Sequence, residues 1–213
     1  MTVTEKHRAG GQPDKRRAII HGALALFARD GYTRASLDAI AAEAGVSNRT
    51  IYNHFSDKAE LFQAVIQEST QRVADTMIDI IDRQLSKIVD LEADLVGLGL
   101  AWLALLTSEL TPHFALVRQI NAETEHIPAA ALKTWRDNGP GRVRGELADR
   151  LRQIEDHGQL SIDNPERAAG HLMLLISAEN LTDRAALDDN AELTAMVAAG
   201  VHAFLYGYGC GRR

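Results

Sequence analysis

The stretch from Ser36 to Phe55, SLDAIAAEAGVSNRTIYNHF, constrains this chain more than any other. Leu37, Ile40, Ala41 and Ala44 fall at i, i+3, i+4 and i+7, which is one apolar face of a helix. Ser36 stands where a hydroxyl caps the first turn. Gly45 follows where the chain must turn sharply, a place that suits a residue without a Cβ. Val46 plugs the corner, Ser47 is a second cap, and Ile51 and Phe55 form an inward i, i+4 pair. Asn48, Arg49, Thr50, Asn53 and His54 are left facing outward, with Tyr52 at the flank. That surface offers amide, guanidinium, hydroxyl and imidazole groups and no acid, which suits base edges and phosphate oxygens. Two amphipathic helices that only pack on one another would show the same apolar spacing, because αα-hairpins are common.

The next residues extend the pattern. Asp57 and Glu60 have the spacing of an acidic capping box, with Lys58 in the first turn of the helix it opens. The run TRASLDAIAAEAGVSNRTIYNHFSDKAELFQAVI closely resembles the DNA-binding segment of the TetR family of bacterial transcriptional repressors. The likeness rests on Gly45-Val46-Ser47, on Thr50-Ile51-Tyr52-x-His54-Phe55, and on Lys58 followed by Leu61. It reaches back through RRAIIHGALALFARDGY and so covers about the first third of the chain.

Composition is consistent with a helical protein whose charge is unevenly spread. Aromatic residues are 5% of the 213, Pro occurs five times, and Ala and Leu are abundant, which favours an all-α fold. The net charge is −6. Residues 1–60 carry nine Lys and Arg against seven Asp and Glu; the remainder carries fourteen against twenty-two. A slightly basic head on an acidic body fits a protein of which only the head meets phosphate. The one cysteine, Cys210, permits no intramolecular disulfide and fits a reducing cytoplasm. The first residues are polar and basic, unlike a secretory signal. The longest nearly apolar run, Leu95 to Leu106, is too short to span a bilayer. We therefore expect a cytoplasmic protein with no membrane contact.

Taken in order, residues 1–12 read as a flexible basic arm in which Lys6, His7 and Arg8 could reach phosphates or a minor groove. Lys15, Arg16 and Arg17 follow, and such runs are also common on solvated faces. Helix one is expected from Pro13 or Asp14 to Asp30, with a buried stripe of Ile20, Ala23, Leu24 and Phe27 and Gly31 as its stop. A long helix should run from Lys58 to about Leu85. More follow: Leu91 to Ser108, His113 to Glu123, and Pro128 to Asp156, the last kinked or split at Asn138-Gly139-Pro140-Gly141. A helix opened by Asp163 or Asn164 with Pro165 and a final one from about Asp189 to Tyr206 complete the chain. The tail YGYGCGRR should fray.

Major-groove geometry gives Asn48, Arg49 and Thr50 to the bases, with Asn53 one turn on. Arg pairs with guanine, Asn with adenine, and Thr meets a thymine methyl. The resemblance adds Thr33, Arg34 and Ser36 as backbone-phosphate candidates, and Tyr52, His54 and Lys58 as residues that grip phosphate. It implies a three-helix helix-turn-helix DNA-binding domain over 13–57 and a helical effector-binding and dimerisation domain over 58–213. It also implies that the last two long helices, here about Asn164–Thr182 and Asp189–Tyr206, pair with their copies in a homodimer. Leu172, Leu175, Ile176, Met196, Val197, Val201 and Phe204 are then interface candidates, although a monomer could bury the same stripe internally. A small-molecule effector, apolar or weakly acidic, would meet some of Trp102, Leu106, His113, Phe114, Arg118 and Trp135. No cofactor is implied. The eight histidines are scattered, with no HExxH and no cysteine partners, so neither a metal site nor a catalytic constellation is expected. The function expected is a regulator, most simply a repressor, that binds a pseudo-palindromic double-stranded operator and leaves it when the effector binds. An activator of the same family, or a helical interaction protein with a vestigial helix-turn-helix, would share much of the sequence.

Overall fold

The computed structural model describes residues 12–177 and 190–209. The basic arm through Gly11, Cys210 and the segment in which the ninth helix is expected to end lie outside the described residues. The helices are α1 (Gln12–Arg34), α2 (Leu37–Glu43), α3 (Asn48–Tyr52), α4 (Lys58–Leu85), α5 (Leu91–Ala104), α6 (Thr111–Ala122), α7 (Ala129–Arg136), α8 (Arg142–Asp156), α9 (Pro165–Leu175) and α10 (Asn190–Tyr208). Among the described residues there is no strand, only an isolated bridge between Leu160 and Gly209. The fold is all-α, as the composition and spacing predict.

The chain forms two compact units: residues up to Ser69 together with Pro112–Thr134, and Thr70–Thr111 together with residues from Trp135 onward. This division does not follow a single cut at residue 57. The first half of α4 and nearly all of α6 belong with the helix-turn-helix.

In the first unit the core is aromatic at its centre. The rings of Phe27 and Phe62 meet edge to face with centroids 4.8 Å apart, and Tyr32 lies 4.7 Å from Phe62. Such pairs add to the burial of their own area. Ile19, Leu26, Ile40, Ile51 and Leu61 fill the space around them. The expected stripe on α1 needs one change: Leu24 is only half-buried, while Ile19 and Leu26 are fully packed. Gly31 takes φ +82°, so α1 breaks there and a last short turn carries on to Arg34.

The second unit has a larger, almost purely aliphatic core. Val143, Leu147, Ala148, Leu151 and Ile154 of α8 pack with Leu95 and Leu98 of α5, Ala168 and Leu172 of α9, and Val197, Val201 and Phe204 of α10. Asn164 caps α9, its side chain accepting the Arg167 N–H at 2.9 Å. Gly200 lets α10 approach α9 closely, since a Cβ there would lie 2.1 Å from the Leu175 carbonyl oxygen. Between α7 and α8 the segment Asp137–Gly141 forms a π turn, so the Gly-Pro-Gly sequence widens the helix at the place where a kink or split is expected. The tail differs from expectation too. α10 continues to Tyr208, whose carbonyl accepts the Ser161 N–H at 2.7 Å and whose hydroxyl meets His171 Nδ1 at 2.8 Å.

Candidate nucleic-acid interface

Local hydrogen bonds set the shape of the helix-turn-helix. Ser36 Oγ accepts the Ala39 N–H and Ser47 Oγ accepts the Thr50 N–H, both at 3.2 Å, so each helix starts on its own cap. At the turn Gly45 adopts φ +64° with open space around its α-carbon. The Val46 N–H returns to the Ala41 carbonyl at 2.9 Å and ties the corner. Ile51 and Phe55 are buried, which fixes the rotation of α3 about its axis.

That rotation presents Asn48, Arg49 and Asn53 to solvent, and the Tyr52 ring is 57% exposed. Among the described residues Arg49 has no side-chain hydrogen bond or ion pair, so its guanidinium is uncommitted. Asn48 is committed in part, its amide donating to Asp38 on α2. A carboxylate only accepts, so this bond fixes which end of the amide faces the acid. Thr50 is half-buried and shares a hydrogen bond with Ser47. His54 is half-buried beside Phe55.

The phosphate candidates are placed less uniformly. Arg34 and Ser36 are exposed, Arg34 Nε donating to the Asp30 carbonyl at 2.9 Å. Lys58 is half-buried, and its ammonium donates to the carbonyls of Tyr32 at 3.0 Å, Ala35 at 3.2 Å and Thr33 at 3.3 Å. It also sits 4.7 Å from the Tyr32 ring centroid. Lys58 thus closes the carbonyl end left open where α1 breaks. The Thr33 N–H and hydroxyl both donate to the Glu123 carboxylate, ninety residues away, at 2.9 and 3.0 Å. Burial opposes ionisation of Glu123, yet the Thr33 donors hold its carboxyl below the usual carboxylate range. The caps of α4 are two-way: Asp57 accepts the Glu60 N–H, and Glu60 reaches back to the N–H and hydroxyl of Ser56, not of Asp57.

Two family models match this chain, one for bacterial regulatory proteins of the tetR family over residues 19–65 and one for the C-terminal domain of AefR-like transcriptional repressors over residues 93–210. The second alone covers more than half of the chain. The chain belongs to the TetR family. It is a DNA-binding transcriptional regulator. Among its TetR-family relatives, the HTH-type transcriptional regulator UidR of Escherichia coli is 29% identical over 204 residues, 92% of this chain and 93% of that protein. The DNA-binding transcriptional repressor TetR of Mycobacteroides abscessus is 40% identical over 62 residues, 29% of this chain and 33% of its own length. A TetR-family regulator from Mesorhizobium loti has a solved structure that superposes with TM-score 0.79 at 29% identity, covering 94% of this chain and 99% of its own. The flavonoid-responsive regulator FrrA gives TM-score 0.68 at 25% identity, covering 94% and 100%.

The effector candidates have mixed surroundings. In the second unit Trp102 is a core residue whose indole N–H donates to the Met77 carbonyl at 3.4 Å, while Leu106 and Trp135 are half-buried. In the first unit Phe114 is half-buried and Arg118 exposed. His113 is 7% exposed, with Nδ1 2.9 Å from Ser69 Oγ, and burial lowers its pKa to about 4, so it is neutral at physiological pH. A half-open cleft of about 390 Å³ in the second unit is lined by Leu85, Lys87, Arg150 and His157 among others, and by none of the six. Among the described residues no single helix is long and apolar enough to cross a membrane.

The seven interface candidates need correction. Leu172, Ile176, Val197, Val201 and Phe204 are buried in the protomer's own core at 0–2% exposure. The large apolar side chains left outside on the same two helices are Leu174 at 76%, Tyr206 at 70% and Leu175 at 40%. The sequence does not single out the first two because α9 and α10 carry apolar residues on several faces. Nor does it single out Glu123 and Asp38, because nothing local marks an acid whose partner lies on another helix.

Proposed function

We propose that this protein is a cytoplasmic repressor that binds a pseudo-palindromic operator as a homodimer and leaves it when a small molecule binds. The observation that carries the DNA half is the α3 surface, where Asn48, Arg49, Tyr52 and Asn53 stand exposed with an uncommitted guanidinium and no acid among them. Arg49 reads guanine, Asn48 and Asn53 read adenine, and Thr50 touches a thymine methyl. Arg34, Ser36, Tyr52 and His54 hold phosphates, and Lys58 acts mainly by fixing the joint that presents them. Thr33 is a phosphate donor once Glu123 has withdrawn.

Two-fold symmetry follows from the reading itself, since two heads must meet two half-sites on one side of the duplex. Leu174, Leu175 and Tyr206 are the residues for that contact. For the effector, His113 and Phe114 of the first unit keep the part assigned to them. A neutral buried imidazole among apolar side chains suits an aromatic or weakly acidic molecule, which agrees in kind with the flavonoid named for FrrA. One relative, FasR of Mycolicibacterium smegmatis, is named an activator and is 39% identical over 71 residues. The same head therefore serves activation where the operator is placed for it.

The test is selection of bound fragments from a random DNA pool, with Arg49→Ala and Tyr52→Ala as controls. An enriched palindrome that both variants lose is the expected result. A folded dimer that enriches nothing at low salt would sink the reading.

A further inference from the structure

Glu123 lies just beyond α6 and sets its carboxylate against the joint between α1 and α2. Oε2 accepts the Thr33 N–H and hydroxyl, with a further contribution from the Tyr32 backbone N–H. A Cβ on Gly31 would fall 2.2 Å from Oε1, so the carboxylate rests on the backbone where φ turns positive. All of these groups belong to the same compact unit. Successive N–H groups beside a positive φ make a concave anion-binding nest. The Thr33 hydroxyl adds a third donor. Lys58 meanwhile takes up the carbonyls of Tyr32, Thr33 and Ala35, so the joint is held by a cation at its acceptors and an anion at its donors. To these donors a carboxylate and a phosphodiester are equivalent: each presents anionic oxygens that only accept. Thr33, Arg34 and Ser36 around the nest are all exposed.

We infer that the nest of Tyr32 and Thr33 is a site for a phosphodiester of the DNA backbone, and that Glu123 occupies it in the free protein as an internal competitor. This inference rests on the DNA-binding reading above. A phosphate that enters must displace the carboxylate, and the displaced charge stays close by. DNA affinity is accordingly held below what the donors alone would give. A carboxylate serving only as a strut for the joint would have the opposite effect, because its removal would disorder the joint and weaken binding.

The experiment measures DNA affinity and its salt dependence on the selected operator for wild type, Glu123→Gln, Thr33→Val and the double variant. Glutamine keeps the length and an acceptor oxygen but loses the charge. E123Q is expected to bind roughly tenfold more tightly, the effect of one additional charge-assisted hydrogen bond. The slope of log affinity against log salt should steepen only through the loss of the carboxylate's negative charge beside the phosphates, since the nest's own donors are neutral. In the E123Q background T33V, which removes the hydroxyl and keeps the backbone N–H, should reduce the gain. Glu123→Asp, which withdraws the carboxylate by one methylene, serves as the second variant should E123Q misfold, with a smaller gain of the same sign. Weaker or unchanged binding by E123Q and E123D, or a gain that T33V leaves undiminished, overturns the inference alone. A wild-type protein that selects no sequence sinks the DNA-binding reading, and this inference with it.

Discussion

The helix-turn-helix and the α9–α10 pair are both helical hairpins in outline, yet the sequence predicts their outward faces with very different success. In the first, Asn48, Arg49 and Asn53 face solvent as their spacing requires, and Ile51 and Phe55 face in. In the second, five of seven residues assigned to a partner are buried at home, and Leu174 and Tyr206 stand outside. The difference lies in what fixes helix rotation. α2 and α3 are short, each starts on a serine cap, and Gly45 sets the corner between them, so one register is allowed. α10 reads NAELTAMVAAGVHAFLYGY, in which Ala, Gly and large apolar residues occur on every side. A pattern without a polar face cannot say which stripe meets the protomer and which meets a second copy.

The contrast is largest on α10. Phe204→Ala should cost about 3–5 kcal/mol of folding stability, because a fully buried ring leaves a cavity. Tyr206→Ala, two residues on, should change stability by less than about 0.5 kcal/mol while weakening self-association roughly tenfold or more. Urea unfolding and sedimentation of the two variants would check this. If both behave alike, the division between inner and outer faces is wrong.

A smaller effect separates a buried polar group from the exposed ones on α3. The folded pKa of His113, about 4, lies below its unfolded value of about 6.5. The unfolded chain therefore takes up a proton first as pH falls. Stability from this residue should be unaffected above about pH 6.5 and should decline between there and about pH 4. The total loss is on the order of 3 kcal/mol. His113→Phe should flatten that part of the stability profile. An unchanged slope would show that other groups govern it.

The smallest expected effect tests the corner itself. Gly45→Ala meets no neighbour, so its only cost is the left-handed backbone, roughly 1 kcal/mol. Thermal unfolding would register the shift, and DNA affinity should fall only to the extent that the head unfolds. A much larger loss of DNA binding would mean that the corner is strained into shape by its surroundings and not chosen by its own residues.

Most helix boundaries are legible in the sequence, since Ser36, Ser47, Asp57 and Asn164 act as the caps that it announces. The outward side chains of α3 are legible for the same reason. Pairing at a distance is not. The sequence offers Thr33, Asn48 and Lys58 to DNA, but Glu123, Asp38 and three carbonyls already engage them. It offers Trp102 to an effector, but Met77 takes the one donor of that indole. Polar residues near a binding surface announce their chemistry, whereas the partners that hold them belong to other helices.

The π turn at Asp137–Gly141 separates the length of the chain from its phase. A turn of this kind takes up one residue more than an α turn, so α8 is rotated as though that residue were absent. A deletion inside α8 would swing the core-facing residues beyond it about 100° off the core, one residue's worth of helical rotation. Losing one residue from the turn would instead leave the residues within α8 in step with one another. The turn is thus a place where the chain could shrink by a residue while α8 keeps its own apolar face of Val143, Leu147, Leu151 and Ile154 intact.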